Sequence, residues 1–171
     1  MNIDKRVEYY EKCYLFELER REKLNARLNV PMGVIVANFG LIGYLLRTPS
    51  DEFLAIYTTV LVLSILALFV GCYHFKNCWS GMTDKFMPTL EDIETYHSDL
   101  VSHYDGCENN EELVKASFYD FLLTSYAEYG TFNAKNNDFR STQLYKSVRA
   151  ISVSLALSFG ATLIQQLPAW L

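Results

Sequence analysis

Three stretches of this chain carry no fixed charge. Leu28–Leu46, Phe53–Tyr73 and Ala150–Leu171 contain no Asp, Glu, Lys or Arg. A helix needs about 20 predominantly apolar residues to cross the hydrocarbon core of a bilayer, and each stretch approaches or exceeds that length. Ionised side chains are expensive in lipid, so three such stretches constrain the fold more than any local motif does. In lipid the backbone must also satisfy its own hydrogen bonds, which a helix does within one segment. The expected fold class is therefore all-α: an integral membrane protein with a transmembrane helical hairpin, a cytoplasmic helical bundle and a third membrane helix at the C-terminal end.

Half of the 171 residues are apolar, and the formal charge is -5. The charges are confined to an N-terminal arm and a middle block. Mild acidity leaves no broad basic surface, so no direct nucleic-acid binding is expected. The four cysteines, Cys13, Cys72, Cys78 and Cys107, form no CxxC pair, and no disulfide framework is expected. The charged run before the first apolar stretch is too long for the n-region of a signal peptide. Neither end carries a lipidation pattern.

Four regions follow. Residues 1–29 read as a cytoplasmic amphipathic helix, with Val7, Tyr10, Tyr14, Leu18, Leu24 and Leu28 at roughly helical spacing among charges of both signs. Residues 30–75 read as the hairpin. Pro31 lies near its start, Arg47–Glu52 is a polar turn, Pro49 ends the first helix, and Ser50 is placed to cap the second. Residues 76–147 read as a cytoplasmic helical region. Ser80–Asp84 is loop-like, and a helix starting at Thr89-Leu90-Glu91-Asp92 stops at Asp105-Gly106. A last helix runs from about Glu111 to Leu167, with Gly130 its weak point. Residues 148–171 form the C-terminal hydrophobic helix, read as membrane-spanning, with docking on the soluble part as the alternative. Seven Lys and Arg precede the first apolar stretch, seven more lie between Lys76 and Arg149, and the turn has only Arg47. Positive residues stay inside, so the N-terminal arm and the middle block are expected in the cytoplasm.

Small and polar residues inside the apolar stretches are the first candidate site. Gly33, Ala37, Gly40 and Gly43 strip one region of the first span, and Gly33-x-x-x-Ala37 permits close helix approach. Asn38, mid-span, needs a hydrogen-bond partner. Ala150, Ser154, Ser158 and Thr162 recur every four residues, giving the last helix a small, polar stripe. This stripe reads as a packing seam against the first span, and alternatively as the wall of a narrow aqueous path.

A search for chemistry yields little. His74, His97 and His103 do not converge with other ligands, so no metal site and no cofactor is expected. No phosphate loop, GxSxG elbow or HExxH sequence occurs. Arg140 is followed five residues later by Tyr145 rather than by the histidine of HEPN-type ribonucleases. The chain is expected not to be an enzyme. One polar constellation stands out: Asn133, Asn136, Asn137 and Arg140, of which Asn133, Asn137 and Arg140 share a helix face. Asparagine is a mediocre helix former, so repeated use implies partners for the amides. Packing against Arg20, Arg21 and Asn25 of the first helix is the simpler reading. Contact with an anionic ligand through Arg21 and Arg140 is the other.

Two segments carry a family resemblance. Leu18-Glu19-Arg20-Arg21-Glu22-Lys23-Leu24-Asn25 runs into the Pro31–Leu46 span, and Asn133-x-x-x-Asn137-x-x-Arg140 leads into Val148–Leu157. In this layout the chain resembles the SLATT-like small membrane effectors of bacterial antiphage defence, and more distantly the membrane accessory protein of type VI CRISPR systems. The resemblance implies a homo-oligomer in the bacterial inner membrane that permeabilises or depolarises the bilayer. Its expected partners are the lipid bilayer, further copies of itself, and a cytoplasmic defence protein or a nucleotide signal. A membrane-anchored scaffold that docks a cytoplasmic partner is the alternative.

Overall fold

A computed structural model describes residues 3–49 and 53–166. The expected cap at Ser50 and the residues after Gln166 lie outside this range. Among the described residues every regular element is helical: α1 (Ile3–Arg27), α2 (Asn29–Arg47), α3 (Leu54–Ser80), α4 (Leu90–His103) and α5 (Asn110–Gln166). The helical stretches that end at Arg47, Ser80 and Gln166 are long and apolar enough to cross a membrane.

The breaks have local causes. Pro31 has no N–H to return to the Arg27 carbonyl, and the Leu28 N–H instead bonds Asn25 in a tightened turn. This separates α1 from α2 by one residue. Thr89 and Asp92 form a reciprocal capping box at the start of α4. After α4 the backbone adopts positive φ at Gly106 (80°) and Asn109 (63°), residue types that tolerate the left-handed region. α5 then continues unbroken through Gly130. α3 exceeds its sequence expectation: it passes Tyr73 and ends only at Ser80, so the loop begins at Gly81.

The chain forms two compact units. The first is drawn from Met1–Glu22 and Met82–Asn137, the second from Lys23–Gly81 and Asp138–Leu171. In the first, Tyr14 is buried against Tyr126, with ring centroids 5.7 Å apart. The α1 backbone passes close to Gly130, where a Cβ would make ordinary contact with Tyr14 Cα at 3.7 Å. Apart from Tyr14, the buried apolar residues of this unit are Val114 and Leu123. Phe118, Phe121, Leu122, Tyr126, Tyr129 and Phe132 are only half-buried.

The second unit packs α2, α3 and the end of α5 on a regular pattern. α2 buries Pro31, Ile35, Asn38, Ile42 and Leu45. α3 buries Tyr57, Leu61, Ser64, Leu68 and Gly71. α5 buries Ser147, Ile151, Ser154, Ser158 and Ala161. In all three the spacing is four, then three, the seam of knobs-into-holes packing. The outer face is apolar: Val36, Phe39, Leu63, Leu66, Phe69, Val153, Phe159 and Leu163 are all exposed. Only 28% of the apolar window in each membrane-length stretch is buried, while the buried seams contain the polar side chains of Asn38, Ser64, Ser147, Ser154 and Ser158. An apolar outer face of this extent is not what a water-soluble bundle presents.

Candidate functional site

The 4-3 seams bring Asn38, Ser64, Ser154 and Ser158 to one place, each with 0% exposure. Asn38 Nδ2 donates to Ser154 Oγ at 2.7 Å, and Ser158 Oγ donates to Asn38 Oδ1 at 3.0 Å. The Ser64 hydroxyl lies 2.7 Å from that of Ser158 and 3.1 Å from that of Ser154. Ser154 Oγ also reaches the Ser64 carbonyl at 2.8 Å. Every polar atom of the Asn38 side chain that faces this network is engaged by α5. Ser154 and Ser158 thus lie in a closed junction with α2 and α3. Thr162 folds back on its own helix, donating to the Ser158 carbonyl at 3.0 Å.

Two further contacts hold α5 in place. Ser147 Oγ donates to the Gly71 carbonyl at 2.9 Å. A Cβ on Gly71 would come within 2.7 Å of Ile151 Cγ1 and 3.3 Å of the Ile151 nitrogen. α3 and α5 therefore approach closely enough there that only glycine fits. The sequence reading did not single out Gly71. Its signal was its place in the series 57, 61, 64, 68, 71.

Gly33, Ala37 and Gly40 sit elsewhere. They are exposed on α2, and a Cβ at Gly33 or Gly40 would meet nothing within 4 Å. They are offset by roughly half a helical turn from the buried Ile35–Asn38–Ile42 face. Within one chain they form no seam with the stripe on α5.

The asparagines of the first unit have a specific use. Asn133 Oδ1 accepts from the Lys85 N–H at 2.9 Å, and its Nδ2 donates to the Lys85 carbonyl at 2.8 Å. Asn136 repeats this on Met82, at 2.9 and 2.7 Å, and also donates to Asp84 Oδ1 at 2.7 Å. Each carboxamide pairs with both the main-chain N–H and the carbonyl of one residue, as a neighbouring antiparallel strand would. Only an amide side chain offers a donor and an acceptor in that geometry. Residues three apart on α5 thereby hold residues three apart on the irregular 81–89 segment, running in the opposite direction. Asn137 Nδ2 donates to the Glu17 carbonyl at 2.8 Å and its carboxylate at 3.0 Å. Arg21 pairs with Asp84 at 3.3 Å and lies over the Phe86 ring. The carboxamide nitrogens of Asn133, Asn136 and Asn137 are thus buried and bonded to the chain itself. Arg21 Nε and Asn137 Oδ1 are buried without a partner among the described residues.

Arg140 belongs to the second unit and is 5% exposed. Its Nε donates to the Cys78 carbonyl at 3.0 Å, and an Nη donates to Asn25 Oδ1. Cys78 lies in the last turn of α3, whose free carbonyls form the negative end of the helix dipole. Arg140 thus caps α3, and this explains why the helix outlasts the apolar run.

One open groove of about 510 Å³ occurs in the first unit, lined by Tyr9, Tyr10, Cys13, Phe16, Tyr126 and their neighbours. Burial, reinforced by the Glu11 carboxylate, pushes the Tyr126 phenol above its ordinary value, and Lys12 and Glu17 also line the groove. Among the described residues no group of three His, Cys, Asp or Glu side chains is placed to hold a metal.

Comparison of the chain with protein-family models, curated proteins and solved structures finds no match.

Proposed function

We propose that this chain is a membrane effector that oligomerises in the bacterial inner membrane and permeabilises or depolarises it during antiphage defence. α2 and α3 form the transmembrane hairpin in this reading, and the end of α5 crosses as the third span. The observation that carries it is the sealed polar junction of Asn38, Ser64, Ser154 and Ser158 inside an otherwise apolar three-helix seam. Polar side chains at that depth mark functional positions by default, because lipid penalises them wherever they lack partners. Sealed, the junction offers water no path, as a resting effector requires. If α5 separates from α2 and α3, the same hydroxyls and amide line a polar strip that hydrates. The exposed Gly33–Ala37–Gly40 face supplies a surface on which neighbouring copies can pack closely. No catalytic step is needed.

The test is membrane potential in bacterial cells, read with a potential-sensitive dye as the copy number is raised. Wild type should collapse the potential above a threshold copy number. The variant Asn38→Leu, Ser154→Ala, Ser158→Ala should not. Equal collapse by both would remove the polar junction from the mechanism.

A second reading rests on the aromatic groove. A membrane-anchored scaffold would dock a cytoplasmic partner's helix along Tyr9, Cys13 and Phe16, completing the thinly buried first unit. A one-to-one complex with a cytoplasmic protein, without loss of potential, would favour it.

A further inference from the structure

We infer that the segment Met82–Leu90, which follows α3 in the chain, is a lipid-docking surface that rests in the headgroup layer. This inference rests on the reading of α3 as a membrane span.

The segment is arranged inside out for water. Its charged groups are paired within the protein: Asp84 with Arg21 and Asn136, and Lys85, its side chain still 42% exposed, with Glu128 at 2.6 Å and against the Tyr129 and Phe132 rings. Three of its five apolar side chains are exposed, Met82 at 45%, Phe86 at 55% and Leu90 at 82%, while Met87 and Pro88 are half-buried. An ordinary loop could rotate to correct this, but this one is fastened by its backbone. Asn136 holds both peptide groups of Met82, Asn133 holds both of Lys85, and the Met87 N–H donates to the Tyr14 hydroxyl at 3.1 Å. The fold therefore keeps three large apolar side chains exposed that water would disfavour.

Chain position identifies the occupant. Met82 is the second residue after Ser80, the end of a 27-residue helix. At 1.5 Å per residue that helix is about 40 Å long, close to the thickness of a bilayer with its headgroups. The chain therefore leaves α3 at the lipid–water boundary. Trp79, in the last turn, is 60% exposed, and exposed tryptophan is typical of that layer. A short segment with large apolar side chains outward and its charges paired suits the boundary between headgroups and acyl chains.

The experiment places a single indole at Phe86. In full-length protein with Trp79→Phe and Trp170→Phe, Phe86→Trp is reconstituted into phosphatidylcholine–phosphatidylglycerol vesicles, with and without lipids brominated near the headgroup end of the acyl chain. The expected result is a blue-shifted emission, mostly lost to the brominated lipid and insensitive to aqueous iodide. Quenching by iodide but not by brominated lipid places the segment in water and overturns the proposal. Protection from both places it under another protein surface, a second copy included, and overturns it equally. Leu66→Trp in the same background, quenched by deeply brominated lipid, serves as the reference for α3. Quenching there with none at Phe86 defeats the docking surface alone, whereas none at either position defeats the membrane reading with it. Met82→Trp repeats the measurement if Phe86→Trp does not fold.

Discussion

Asn38→Ala probes the polar junction directly. The substitution removes two hydrogen bonds, the 2.7 Å bond to Ser154 and the 3.0 Å bond from Ser158. Measured side-chain hydrogen bonds contribute about 0.6 kcal/mol in a membrane protein and about 1 kcal/mol in water-soluble ones, so the pair is worth about 1–2 kcal/mol. A carboxamide-sized void adds about 1 kcal/mol at roughly 24 cal/mol per Å³. The hydroxyls of Ser154 and Ser158 keep Ser64 as a partner, which limits the penalty for orphaned groups. The expected loss is about 2–3 kcal/mol. The triple variant Asn38→Leu, Ser154→Ala, Ser158→Ala removes the network's polar groups except Ser64. It should recover most of the loss, because deleting both partners of a buried pair is far milder than deleting one. Thermal unfolding in detergent, followed by circular dichroism for wild type, single and triple variants, reads all three values. A single variant as stable as wild type, or a triple variant less stable than the single, would refute a closed junction.

Three further outcomes are expected. Gly71→Ala should lower the melting temperature in detergent, since overpacking against Ile151 by about 1–3 kcal/mol outweighs the roughly 1 kcal/mol alanine gains over glycine in a helix; a rise would show that α3 and α5 are not so close. Asn133→Asp removes the donor to the Lys85 carbonyl and puts a carboxylate beside it, so trypsin should cut after Lys85 faster than in wild type, and an unchanged cleavage rate would contradict the amide pairing. Arg140→Lys cannot reach both the Cys78 carbonyl and Asn25 with one ammonium, and should destabilise by about 1.5–3 kcal/mol; a variant with wild-type stability would mean that the guanidinium does not cap α3.

Much of the helix plan was legible because its signals are local. Absent charge marked the long apolar stretches, Pro31 the α1–α2 break, Thr89 and Asp92 a cap, and Asp105-Gly106 a stop. The end of α3 was not local: His74, Lys76 and Asn77 look like the close of a span, but Arg140, 62 residues after Cys78, satisfies the terminal carbonyl. Asn38 was legible as a polar group needing a partner; Ser154 and Ser158 bond it, and they also bond Ser64 on α3, which no local signal joined to the stripe. Gly33 and Ala37 show the limit of such signals, since small residues look alike whether they admit another helix of the same chain or leave a face open. Asn133 and Asn136 were visible as an anomaly, but not their partner. A carboxamide that pairs with a main-chain peptide leaves no mark on the partner's side chains, so nothing in Met82 or Lys85 announced it.

Ion flux through proteoliposomes is the most direct measurement, taken as the protein-to-lipid ratio is raised across a potassium gradient. A pore built from several copies should dissipate the gradient with a steeper than linear dependence on that ratio, and the triple variant should hold it. Vesicles that stay ion-tight at every ratio, with α3 shown to be inserted, would contradict a permeabilising assembly.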